Sequence, residues 1–139
     1  MLRQQVHRLT LSTRGPGFLD VTDKLQDWLA VAAAGDGLVT AFVQHTSASL
    51  AIQESTDPDV RADLLDALDR LAPRTHPYRH ALEGPDDMPG HIKAMLSATS
   101  LSIPVIGGRA ALGTWQALYL IEHRDGPHQR NILLHYVGT

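Results

Sequence analysis

A chain of 139 residues accommodates one domain, spanning 1–139, and is too short for two ordinary ones. Its formal net charge of -3 argues against a general nucleic-acid binder, and the absence of cysteine excludes disulfides, thiolate metal ligands and a cysteine nucleophile. No apolar run approaches the ~20 residues of a membrane span. The start Met1–Gln5 lacks the apolar stretch of a secretory signal, so the expected setting is the cytoplasm, with no membrane partner.

Residues 5–12 alternate loosely, with His7, Leu9 and Leu11 on one face, and predict a first strand. A turn at Arg14–Gly17 leads to a second short strand over Phe18–Val21. Thr22 has the chemistry of an N-cap and Asp23 suits the positive end of a helix dipole. Leu25, Trp28, Leu29 and Ala32 follow as one helical stripe, which Gly35-Asp36-Gly37 ends. Leu38–Gln44 reads as a buried strand. Ala48, Leu50 and Ile52 keep a period of two, predicting a continuing or adjacent strand with a bend near Thr46 and Ser47.

Asp57-Pro58 is a strong helix start, and Val60, Leu64, Ala67, Leu68 and Leu71 supply its apolar face. Residues 73–90 carry four prolines and little periodicity; a long irregular stretch in a small domain is more often functional than idle. A short helix is expected over His91–Ala98 and a strand over Leu101–Ile106, then a hairpin turn at Gly107-Gly108. Two last strands, Thr114–His123 and Asn131–Val137, flank the turn Arg124–Pro127. Strands in runs with helices grouped between them predict an α+β fold.

Eight histidines stand out in a chain of this size. The densest chemistry lies between Tyr78 and His91, where His80, Glu83, Asp86, Asp87 and His91 offer imidazoles and carboxylates. Such a set can bind a divalent metal or do acid–base work, although the His80–His91 spacing matches no compact zinc motif. His45 lies at a strand end before two hydroxyls, Thr46 and Ser47. It reads either as a cleft-facing group or as a core histidine bonded to backbone. Glu54 continues the Leu50–Ile52 period; it is either a buried carboxylate in need of a partner or a solvent-facing residue past the strand end. Gln116 can bind a ligand or hold structure, Trp115 reads as core, and Lys93 and Arg130 can neutralise an anion. His123 and His128 flank a turn and read as exposed. With no glycine-rich phosphate loop, a phosphate would be held by side chains or by a helix N-terminus such as Pro89–Ile92.

Three stretches together resemble the YjbQ-like family: Gln44–Leu50 with Glu54 and Asp57–Val60; Gly84–Lys93; and Ile103–Val105 with Leu112–Gln116 and Glu122–Arg124. The chain departs from that pattern at Ser55, at Gly90 and at His128-Gln129-Arg130. The resemblance implies a compact α+β subunit that forms a homotrimer, its sheets packed around the threefold axis. It implies a weak, secondary thiamine-phosphate synthase activity, which joins a hydroxymethylpyrimidine diphosphate to a thiazole phosphate. It places catalytic groups at His45, His80, His91 and Glu54. On that reading His80, His91 and Asp86 hold a divalent metal, Zn or Mg. Thr46, Ser47, Lys93, Gln116 and Arg130 then bind a small phosphorylated metabolite. A phosphoesterase on the same ligands, or a non-catalytic metal- or metabolite-binding trimer, are the rival expectations.

Overall fold

A computed structural model describes residues 1–139, every position of the chain. Eleven elements follow in order: β1 (Arg3–Thr13), β2 (Gly17–Asp20), α1 (Thr22–Val31), β3 (Gly37–Val43), β4 (Ala48–Glu54), α2 (Pro58–Leu71), α3 (Asp87–Leu96), β5 (Ser100–Ile106), β6 (Arg109–Ala110), β7 (Gln116–Glu122) and β8 (His128–Gly138). The expected α+β class is observed, with three helices and antiparallel sheets.

The bend expected near Thr46 and Ser47 is a change of sheet. β3 lies in a five-stranded sheet ordered β1-β8-β3-β5-β6, whereas β4 lies in a three-stranded sheet ordered β2-β7-β4. Leu11, Val39, Val43, Ile132, Leu134 and Tyr136 of the larger sheet meet Leu50, Leu118 and Leu120 of the smaller one. Leu25 and Leu29 of α1 complete this core with no exposed surface. The opposite face of the larger sheet carries Val6, Leu38, Phe42 and Val137 in the open. At the β5–β6 turn, Gly107 (φ 58°) and Gly108 (φ 82°) both take the positive φ that a two-residue hairpin requires.

The helix starts show local chemistry at work. At α2, the Asp57 carboxylate accepts from the Asp59 amide at 2.9 Å and proline stands in the first turn, as expected. At α1 the cap position is Val21, not Thr22. The Asp20 carboxylate accepts from the Thr22 amide, and the Thr22 hydroxyl is spent on the Leu118 amide of β7. α3 begins at Asp87, four residues before the expected His91. Pro89 falls in its first turn, where the missing N–H has no intrahelical partner to lose.

β7 is buried continuously from Ala117 to Glu122, and burial extends to His123. Both of its faces are therefore covered, and its sequence lacks strand alternation for that reason. α2 has no fully buried residue: Leu64, Leu68 and Leu71 line an apolar groove of about 430 Å³ against β4. No helix is long and apolar enough to cross a membrane.

Candidate metal centre

α3 and the loop before it bring three donor groups together. His80, Asp87 and His91 place one ligand atom each within 4.8 Å of one another. Asp87 and His91 are four apart on α3, so they share a helical face. The Asp87 Oδ2 atom lies 2.6 Å from His80 Nε2 and 3.3 Å from His91 Nε2. The two imidazoles meet edge to face, 5.5 Å between centroids. Asp87 is 2% exposed, and the imidazoles of His80 and His91 stand nearer the surface. Burial works to raise the Asp87 pKa, but the His80 hydrogen bond and then the His91 and Arg124 charges hold it below the usual carboxylate range.

The carboxylate between the rings is thus Asp87, and not Asp86, which was the expected ligand. Asp86 turns to the other side. Its Oδ2 accepts from Arg124 Nε at 2.8 Å and from the Asp125 amide at 2.9 Å. Burial opposes ionisation there too, yet these bonds hold the Asp86 pKa down to about 2. Arg124 also donates to Asp87 Oδ1 at 2.8 Å and to the Glu83 carbonyl at 3.0 Å. One guanidinium therefore fixes the oxygen of Asp87 that the histidines do not use. A bidentate Arg74–Asp125 pair anchors the preceding loop to the β7–β8 turn. Beside the triad, a cavity of about 320 Å³ is lined by His76, Tyr78, His80, Gly84, Pro85 and Met88 among others.

The donor set can be tested against the metals expected of it. Two imidazoles and one carboxylate match three-ligand zinc sites, which keep a fourth position open for water or substrate. Magnesium prefers oxygen donors, so the residues present fit Zn and not Mg.

Other expected residues lie elsewhere. Glu54 and Gln116 pair across the β4–β7 ladder, at the opposite end from the Ala48–Glu122 pair. Seven residues of strand put them roughly 20 Å from that end. Glu54 Oε2 faces the Asp57 amide at 3.4 Å, and Gln116 Oε1 accepts from the Gly113 amide at 2.8 Å, so both shape turns. Trp115 is at the surface, not in the core, because β7 begins only after it. Thr46 is exposed. Lys93 is buried on α3 and donates to Asp69 of α2 at 2.5 Å. His45 is half-buried and its Nε2 accepts from the Asn131 amide, so it is a backbone-bonded histidine; burial first and the Arg130 charge second lower its pKa.

Arg130 is not free for a ligand. It pairs with Glu122 through Nε at 2.7 Å and Nη2 at 2.5 Å, and reaches the Ser47 hydroxyl at 3.0 Å. Ser47 is in turn one of three side chains packed on Gly90 of α3, with Arg124 and His123. His123 is buried, contrary to the exposed position expected at a turn; its backbone amide donates to the Ser47 carbonyl at 3.3 Å and so extends the β4–β7 pairing by one residue. From sequence, Asp87 entered only as one of three carboxylates between His80 and His91, His123 only as an exposed residue, and Arg124 only as part of a motif and a turn. The signal for Asp87 is its spacing of four to His91, which carries meaning once the helix is known to start at 87.

Comparison with known proteins agrees with the fold. A family model described as "UPF0047 protein YjbQ-like" matches residues 7–139. The UPF0047 protein sll1880 of Synechocystis sp. is 45% identical over 137 residues, covering 98% of this chain and 93% of its own. The UPF0047 protein YjbQ of Escherichia coli O157:H7 is 44% identical over 126 residues, covering 90% and 91%. Among solved structures, hypothetical protein APE1520 from Aeropyrum pernix K1 superposes with a TM-score of 0.88 at 33% identity, covering 97% of this chain and 99% of that one. A YjbQ/UPF0047 family protein from Clostridium acetobutylicum gives 0.86 at 34% identity, covering 94% and 98%.

Proposed function

Because the chain belongs to the YjbQ-like UPF0047 family, we propose that it is a small-molecule enzyme acting on a phosphorylated metabolite at a zinc-type centre made by His80, Asp87 and His91. The observation that carries this reading is the convergence of two imidazoles and a carboxylate within 4.8 Å beside an open cavity. A cation held there supplies positive charge against a phosphate or diphosphate oxygen. Asp87 offers Oδ2 to that charge while Arg124 holds Oδ1, so the ligand oxygen is oriented before anything binds.

The reaction we assign is transfer of the thiamine-phosphate synthase type. The thiazole nitrogen forms a bond to the pyrimidine methylene carbon, and the carbon–oxygen bond to diphosphate breaks, diphosphate leaving with the electron pair. No proton has to be removed from the nitrogen nucleophile, so positioning and leaving-group stabilisation are what the protein contributes. The open fourth position of a three-ligand site also favours a second reading, hydrolysis of a small phosphoester by a bound water.

Incubating the zinc-loaded protein with hydroxymethylpyrimidine diphosphate, with and without thiazole phosphate, separates them. Thiamine phosphate formed only with both substrates supports transfer, and diphosphate released without the acceptor supports hydrolysis. Neither product, with zinc still bound tightly, leaves a metal-binding module. His80→Ala and His91→Ala should each abolish zinc binding and turnover; if both survive, the centre is misassigned. The same proposal includes a homotrimer built on the apolar outer face of the five-stranded sheet, at Val6, Leu38, Phe42 and Val137. Light scattering that shows a monomer at micromolar concentration removes that part.

A further inference from the structure

The irregular loop between α2 and α3 holds a half-buried tyrosine by both ends. Pro77 is the middle residue of a three-residue turn in which the Tyr78 amide donates to the His76 carbonyl at 2.9 Å. Proline fixes φ in the range such a turn needs. The turn brings the His76 and Tyr78 rings to 4.8 Å between centroids, tilted by 56°. At the far end of the side chain, the Tyr78 hydroxyl donates to the Pro73 carbonyl at 2.8 Å. Tyr78 takes no part in the hydrophobic core, so packing of the fold does not account for a ring fixed in this way.

Tyr78 lines the cavity of about 320 Å³ beside the metal centre, and His80, one of the three donors, belongs to the same wall. That volume is at the lower end of the roughly 300–1,000 Å³ of small-ligand sites, room for one ring and its substituents. Pro77, Pro85 and Pro89 offer apolar ring faces to it, Met88 a polarisable sulfur, and His76 and Tyr78 their aromatic rings. A cation would find rings there but no carboxylate side chain in the wall. An anion would find one guanidinium, that of Arg74, with both Nη atoms already on Asp125 at 2.7 and 2.6 Å. The lining therefore suits an uncharged, flat group.

We propose that this cavity is the subsite for an aromatic or heteroaromatic ring, packed against Tyr78, whose phosphate-bearing arm reaches the His80–Asp87–His91 centre. The proposal rests on the reading of that centre as the place where a phosphate oxygen binds. His80 joins the two halves: its Nε2 faces Asp87 at 2.6 Å while the residue forms part of the cavity wall. Charge is recognised at the centre, and ring shape in the cavity. A flat ring can stack offset on Tyr78 or meet it edge to face, with a gain beyond the area it buries. A saturated ring of the same size buries similar area but has no such geometry, so the cavity discriminates between them. The turn at Pro77 and the hydroxyl bond to Pro73 set the Tyr78 ring in place before anything binds, which lowers the cost of ordering it.

Calorimetric titration of the zinc-loaded full chain tests this. The probes are inorganic phosphate, benzylphosphonate and cyclohexylmethylphosphonate; the carbon–phosphorus bonds of the last two resist hydrolysis. Benzylphosphonate should bind about 3- to 10-fold more tightly than its saturated counterpart. Tyr78→Leu, which keeps apolar bulk and loses the ring, should bring the two phosphonates to equal affinity. Tyr78→Phe, which keeps the ring, should retain the preference. Equal affinities in wild type, a preference that survives Tyr78→Leu, or phosphocholine bound more tightly than benzylphosphonate overturns the proposal. Inorganic phosphate that binds no better with zinc than without it, while the ring preference persists, sinks the reading of the centre alone. Zinc-dependent phosphate binding with no ring preference sinks this inference alone, and failure of all three probes to bind at millimolar concentration sinks both.

Discussion

Replacing Arg130 with methionine should be the most damaging single change that leaves the chain's hydrophobic pattern intact. Arg130 is 4% exposed and Glu122 2%, so the pair sits out of reach of water. Burial alone would raise the Glu122 pKa; Arg130 first, then Thr13 and the Arg124 amide, hold it below the usual range instead. Without Arg130, Glu122 keeps the Thr13 hydroxyl and the amides of His123 and Arg124, at 2.5, 3.0 and 3.1 Å, but loses its only buried countercharge. Breaking one half of a buried pair costs about 3–5 kcal/mol, a large part of the 5–15 kcal/mol typical of a domain. The double variant Arg130→Met with Glu122→Gln removes the orphaned charge, so it should be more stable than Arg130→Met although more has been deleted. Urea unfolding at neutral pH and fixed protein concentration, followed by tryptophan fluorescence and far-UV circular dichroism, measures both. A loss below about 1 kcal/mol in Arg130→Met, or a double variant weaker than the sum of its parts, would refute the argument.

His123 makes stability depend on pH in a definite direction. Its folded pKa, about 4, is depressed from 6.5, so the unfolded chain takes up a proton first and stability falls as pH drops through that window. Between about pH 8 and about pH 5 the loss should reach roughly 2 kcal/mol, and it should vanish in His123→Gln; parallel urea curves for the two proteins check it. The lowered carboxylates, Glu122, Asp86 and Asp87, add their losses only at lower pH. Arg124→Gln frees Asp87 Oδ1 and should weaken zinc binding about 10- to 100-fold in a competition titration, without unfolding the chain. Asp57→Ala removes the N-cap of α2 and should cost about 1 kcal/mol in thermal unfolding, with site chemistry unaffected.

Much of this architecture is legible from residue order because the signals are local. Asp57-Pro58 starts α2 where proline and a cap acceptor place it. Gly107-Gly108 turns β5 into β6 because only such residues take two positive φ angles cheaply. The misreadings have local causes too. Pro89-Gly90 looks like a break, and that look hid the first turn of α3 and with it the Asp87–His91 pair. His123 follows the last residue of β7, which is covered on both faces, so no alternation marks it as buried. Choosing Asp86 over Asp87 from sequence depends on helical phase, and phase was lost with the helix start. Arg124 was missed because its role comes from tertiary contact with a loop nearly 40 positions away, with |i−j| of 38 to Asp86.

The order of the larger sheet also says something about how the molecule comes into being. β8 is its second strand and joins β1 to β3. Thr13 of β1 finds its partner His128 at a separation of 115 residues. During synthesis the first strand must wait, with one apolar flank uncovered, while everything up to the last strand is made. Closure is then a single late event that zips both neighbours at once, slow by the standards of chains with short-range contacts and sensitive to any change that delays the final strand.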